Sequence, residues 1–113
     1  MRVERPDGRR RIGMAELTGA QRKYLRGMAH YIKPMIQVGK NGLTDSVVET
    51  IDKALDDHEL IKVRISNSEG RKREIADEIA QRTHSAWVGL IGFVVTLYRQ
   101  QPDSEKQTID LPG

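Results

Sequence analysis

The chain has 113 residues, 37% hydrophobic and 31% charged, with no cysteine and a formal net charge of +3. That length fits one domain with one modest core. The composition excludes a disulfide framework and a thiolate metal site, and no apolar run approaches the ~20 residues needed to cross a bilayer.

The charge is unevenly placed. Ten Lys or Arg stand against three Asp or Glu in residues 1–40, and nine against thirteen in residues 41–113. A basic first third joined to an acidic remainder points to one face built for a polyanion. The opening Met1-Arg2-Val3-Glu4-Arg5 lacks the apolar segment of a signal peptide, so a soluble cytoplasmic protein is expected.

Residues 1–15 read as a flexible basic arm, punctuated by Pro6, Gly8 and Gly13 and charged by Arg9-Arg10-Arg11. The domain proper is expected over residues 16–100, with a polar tail over 101–113. A first helix is expected from about Thr18 to Ile32. Leu17, Tyr24, Leu25, Met28, Tyr31 and Ile32 share one side of it, and Arg22, Lys23, Arg26, His30 and Lys33 gather on the other. Pro34 ends that helix. A strand over residues 35–38 then delivers Gly39-Lys40-Asn41-Gly42. Thr44 is a good N-cap for a second helix. Val47, Val48, Ile51, Ala54, Leu55 and His58 share one face of it; Glu49, Asp52, Asp56 and Glu59 lie on or near the other.

Residues 60–66 alternate Leu60, Lys62, Arg64 with Ile61, Val63, Ile65, the pattern of a half-buried strand. Residues 67–70 turn the chain. A third helix over about 71–83 buries Ile75, Ala76 and Ile79. Strands over 86–91 and 93–100 follow, with Gly92 between them and with Trp87 and Phe93 assigned to the core. The order is a helix, then β-α-β-α-β-β. It specifies a single α/β domain with a four-stranded mixed sheet, right-handed crossovers and helical cover on at least one face.

The 39–42 segment is the most informative feature. Two glycines around a lysine and an amide let the backbone turn sharply and let a bulky anion approach. The helix that follows offers N–H groups and a positive dipole end. A G-x-x-G loop of this kind is how KH-type domains clamp a nucleic-acid backbone. The basic arc of the first helix is the second feature. Arg22, Arg26 and Lys33 are expected to share one surface with Lys40, each neutralising a phosphate. Arg71-Lys72-Arg73 opens the third helix against its macrodipole, so RNA contact and a solvated turn both explain it.

The chemistry of an enzyme is missing. His30, His58 and His84 are scattered, and Asp56-Asp57-His58-Glu59 fans around a helix end. No H-E-x-x-H, G-x-S-x-G, P-loop or dinucleotide fingerprint occurs, and no RNP1-like aromatic segment either.

The run Leu17-Thr18-Gly19, Gln21-Arg22, Tyr24-Leu25-Arg26, Ala29-His30, Lys33-Pro34 and Gln37-Val38-Gly39-Lys40-Asn41-Gly42-Leu43-Thr44 resembles the CRM domain. His58-Glu59-Leu60-Ile61-Lys62-Val63 and Leu97-Tyr98-Arg99 fit the same pattern. The resemblance covers about residues 16–100 and is to the stand-alone bacterial YhbY-type RNA-binding proteins.

It implies a fold like the C-terminal domain of translation initiation factor three. It implies RNA binding by Gly39, Lys40, Asn41, Gly42 and Thr44, extended by Arg22, Lys23, Arg26 and Lys33. The implied role is large ribosomal subunit assembly on precursor ribosomal RNA, without enzymatic activity, cofactor or metal. An adaptor that recruits a protein, such as a ribosomal protein, through its acidic second helix is the alternative. The sequence departs from the family at Phe93, where a basic residue often follows the glycine. The resemblance therefore carries no RNA contact to that turn.

Overall fold

The computed structural model describes residues 17–66 and 70–112. The basic arm and most of the turn expected at 67–70 lie outside them.

Thr18 sets the start of the first helix. Its hydroxyl accepts from the Gln21 amide, and the Gln21 side chain accepts from the Thr18 amide, both at 3.0 Å. This capping box satisfies two donors that the helix leaves open. Helix α1 (Gly19–Ala29) ends short of Ile32. The amides of His30, Tyr31 and Ile32 reach back three residues rather than four, which tightens the last turn ahead of Pro34.

Strand β1 (Ile36–Val38), helix α2 (Asp45–His58), strand β2 (Leu60–Ile65), helix α3 (Lys72–Thr83) and strands β3 (Ala86–Ile91) and β4 (Val94–Tyr98) follow in the expected order. A short 3-10 turn (Ser104–Lys106) comes after them. The sheet order is β1-β2-β4-β3, parallel between β1 and β2 and antiparallel elsewhere. The mixed four-stranded sheet is as the sequence indicated.

Each face of the sheet has its own core. Ile61, Val63, Ile65 and Leu97 pack against Ile51 and Leu55 of α2 and Ile79 of α3. On the opposite face Leu25 and Ala29 of α1 cover Leu60, Val88 and Tyr98. The alternation in β2 therefore does not separate core from solvent. Leu60, expected to point outward with Lys62 and Arg64, is buried beneath α1, while Arg64 is exposed.

Three other expectations are corrected. Tyr24 and Tyr31 do not join the buried stripe of α1: Tyr31 is 87% exposed, because the stripe centres on Leu25 and Ala29. Phe93 is 54% exposed at the β3–β4 turn rather than in the core. Trp87, by contrast, packs half-buried against the core as expected and donates its indole N–H to Asp77 at 2.7 Å.

The acidic face of α2 is partly engaged within the fold: Glu49 is exposed, Asp52 and Asp56 are about half-exposed beside Arg99, and Glu59 is buried. Arg99 is 1% exposed. Its guanidinium donates to Asp52 Oδ1 at 2.6 Å, the Asp52 carbonyl at 2.7 Å, Asp56 Oδ1 at 2.8 Å and the Thr83 carbonyl at 2.7 Å. Glu59 is buried too, at φ +64 in the C-cap of α2. Its carboxylate accepts from the amides of Gln101, Thr108 and Ile109 at 2.8, 2.7 and 3.1 Å. These bonds return the polar tail to the body, where Ile109 is buried and Leu111 half-buried in the α1 cluster.

Candidate nucleic-acid interface

The 39–42 loop is a tight turn. The Gly42 amide donates to the Gly39 carbonyl at 3.0 Å, which puts Lys40 and Asn41 at the exposed tip. Gly42 has φ +76, in the left-handed region where a Cβ is penalised. Gly39 is outside that region, and a Cβ built on it meets no atom within 4 Å. Only one of the two glycines is therefore required by the turn itself.

Leu43 packs its side chain on the core and fixes the loop from below. Thr44 then starts α2, its hydroxyl accepting from the Val47 amide at 3.2 Å. Asp45 in the first turn would repel a phosphate at the loop. Arg82 offsets it, pairing with Asp45 Oδ1 at 2.6 Å and donating to the Leu43 carbonyl at 3.1 Å.

Three strand ends meet beside this turn. Val38 is in register with Ile65, and the Ser66 amide donates to the Val38 carbonyl at 2.9 Å. The Ile65 amide donates to the Phe93 carbonyl at 2.6 Å. Arg64 stands exposed one residue earlier, and Lys72 donates from Nζ to the Gly92 carbonyl at 2.8 Å. Lys40, Arg64 and Lys72 thus bring positive charge to one end of the sheet. Arg64 carried no functional signal in the sequence beyond being a charged residue on an alternating strand. Lys72 was visible only as part of a basic triplet.

The basic residues of α1 are elsewhere. Arg22 Nη2 donates to the Trp87 carbonyl and Arg26 Nη1 to the Val88 carbonyl, both at 3.1 Å. Gly89 leaves room for this. A Cβ there would come within 3.3 Å of the Arg26 stem, and a register shift between Trp87 and Gly89 turns the strand. Strand β3 is the edge opposite β1, three strand spacings or about 14 Å away. Lys33 precedes β1, whereas Lys40 follows its far end. Lys23 is exposed on α1 beside Tyr24. The single surface expected from Arg22, Arg26, Lys33 and Lys40 is therefore divided into a loop patch and a helix patch.

Among the described residues no three His, Asp or Glu side chains converge to hold a metal, and no helix is long and apolar enough to cross a membrane.

A single α/β domain with this sheet order, and with a glycine turn leading into its second helix, defines a small class of folds. Residues 17–99 match the CRS1 / YhbY (CRM) domain, and the chain belongs to that family. A Haemophilus influenzae protein named as an RNA-binding protein is 38% identical over 100 residues, covering 88% of this chain and 98% of its own. The Bacillus subtilis protein YqeI, named as a probable RNA-binding protein, is 38% identical over 97 residues, covering 85% of this chain and 99% of its own. The fold is also similar to the solution structure of a hypothetical Staphylococcus aureus protein put forward as RNA-binding. That match has a TM-score of 0.72 and 36% identity, and covers 85% of this chain and 99% of the other.

Proposed function

We propose that this protein binds RNA by phosphate capture at the 39–42 loop and acts, without catalysis, in assembly of the large ribosomal subunit. The observation that carries the reading is the turn itself. Gly42 at φ +76 holds Lys40 and Asn41 out at a strand end, directly before the N-cap of a 14-residue helix. Backbone donors, a helix N-terminus and a lysine then meet a phosphate together. Thr44 positions the helix start, and Arg22, Lys23, Arg26 and Lys33 extend contact along α1 when the RNA is long enough to cross the sheet. Base specificity is slight, since phosphate contacts position without specifying. The ribosomal role and a cytoplasmic location rest on the family resemblance, and precursor ribosomal RNA is the partner it implies.

The test is a Lys40→Asp, Asn41→Asp double variant. Both side chains are exposed, so the fold should persist. RNA affinity should fall about tenfold or more, a loss of ~1.4 kcal/mol. Unchanged affinity at low salt would remove the loop from the site. Crosslinking in cells, followed by sequencing of the attached RNA, addresses the ribosomal part. Crosslinks confined to RNA other than large-subunit precursors would refute it. The adaptor reading keeps a narrower surface: Glu59 is buried, while Asp52 and Asp56 pair with Arg99 and stay about half-exposed.

A further inference from the structure

Phe93 sits where a large apolar ring has no packing reason to be. It is 54% exposed, and its neighbour Ile91 is 82% exposed. Aromatic rings of this size normally contribute through burial. Its place is nevertheless fixed. Its carbonyl accepts from Ile65, and Ile65 is also the register partner of Val38, the residue before Gly39. Phe93 and Val38, the residue that leads into Gly39, therefore flank Ile65 from either side, two strand spacings or about 10 Å apart. Lys72 Nζ lies 4.8 Å from the ring centroid while it donates to the Gly92 carbonyl at 2.8 Å. The ammonium holds one side of the ring by cation–π attraction and adds a positive charge at the same place.

A water-exposed ring, steadied by a cation and set beside a phosphate-binding turn, is the arrangement that receives an unstacked base. We infer that Phe93, held by Lys72, stacks one base of the RNA strand whose backbone the 39–42 loop grips. The inference rests on the RNA reading of that loop and deepens it. A phosphate clamp alone accepts paired and unpaired strands alike. A stacking ring beside it admits only a strand whose bases splay out, so the protein selects single-stranded segments. Every base offers a π-face, so the preference is for strandedness and not for a sequence.

The experiment measures anisotropy of a labelled single-stranded oligoribonucleotide, and of the same oligomer made abasic at each position in turn. Phe93→Ala should weaken binding of the intact oligomer about tenfold, with unchanged thermal unfolding. Phe93→Trp should bind as the native protein does. Phe93→Leu, which keeps apolar bulk without a π-face, should bind as Phe93→Ala does. Removing one particular base should weaken native binding by a similar factor and cost nothing further in Phe93→Ala. Tyr31→Ala, altered in the turn after α1, should leave this coupling intact.

Native affinity in Phe93→Ala would overturn the inference, as would an equal loss on every abasic oligomer. The Lys40→Asp, Asn41→Asp variant separates the two readings. If it binds normally while the Phe93 coupling persists, the loop reading fails and the stacking role stands.

Discussion

Arg99 shows how one residue can decide the meaning of others. Two carboxylates and two carbonyls surround its guanidinium, and the cation is almost fully buried. Removing the cation costs about 2–3 kcal/mol, since two carbonyls and two half-exposed carboxylates lose their donor and a large buried side chain is lost. Arg99→Ala should therefore lower the unfolding free energy by about that amount in urea denaturation. Asp52→Asn should cost only ~1 kcal/mol, because Asp52 is about half-exposed and the other acceptors remain. A cost near zero for Arg99→Ala would show that the network contributes nothing net. Charge reversal at Asp52 and Asp56 consequently reads fold stability as well as any partner. The glycines separate in the same way. Gly42→Val strains a left-handed residue by about 1–2 kcal/mol. Gly39 lies outside the left-handed region, and a Cβ added there meets no atom within 4 Å. A binding defect in a fully stable Gly39→Val protein would report ligand approach alone, and native binding by it would show that no ligand comes close there.

At the scale of elements, the tail and β4 carry the informative chemistry. Glu59 stands between α2 and β2 and ties the tail to them through its buried carboxylate. Glu59→Ala should release residues 101–111, cost about 2–3 kcal/mol, and expose a protease site in the tail. Undiminished protease resistance would show that Ile109 and Leu111 hold the tail alone. Tyr98 on β4 is buried, and its hydroxyl finds no hydrogen-bond partner among the described residues. Burial first, and the Glu59 charge second, push its phenol well above the ordinary value of 10.0. The unfolded chain ionises near that ordinary value and the folded chain resists. The stabilising contribution is therefore full below about pH 10 and is lost as pH rises through the folded value. At about pH 11 the native protein should have lost ~1.4 kcal/mol from this source, and Tyr98→Phe none of it. Near neutrality Tyr98→Phe should be at least as stable as native, by up to about 1 kcal/mol. Parallel alkaline losses in the two proteins would refute the assignment.

For the whole molecule, the division of the basic surface sets how binding responds to salt. A short single-stranded RNA confined to the loop patch should give a log–log salt slope of roughly −2 at ~0.7 per contact, if Lys40, Arg64 and Lys72 each meet a phosphate. A longer strand that also meets Arg22, Arg26 and Lys33 should approach roughly −4. Arg26→Ala should then reduce the slope only for the longer strand, and by about one contact. An identical slope at every RNA length would mean that the two patches are not used together. Deleting residues 1–15 should reduce the slope further if Arg9-Arg10-Arg11 bind as well.

The sequence determined the order of elements, the mixed sheet and the position of the glycine turn. Those features are written locally. Thr18 and Thr44 cap, Pro34 breaks, Gly42 takes a conformation other residues avoid, and apolar residues recur with the period of a helix or strand. Tertiary structure decided which of two apolar stripes meets which face. It buried Leu60 beneath α1 and left Tyr31 and Phe93 in water. It buried Glu59 against the tail and tied the half-exposed Asp52 and Asp56 to the buried Arg99. It also carried the cations of α1 to the far edge of the sheet from Lys40 and gathered Arg64 and Lys72 beside it. Helical and strand periods tell which residues lie together on one element. They say nothing of which element comes to lie opposite, and every one of these outcomes depends on a contact between residues distant in the chain.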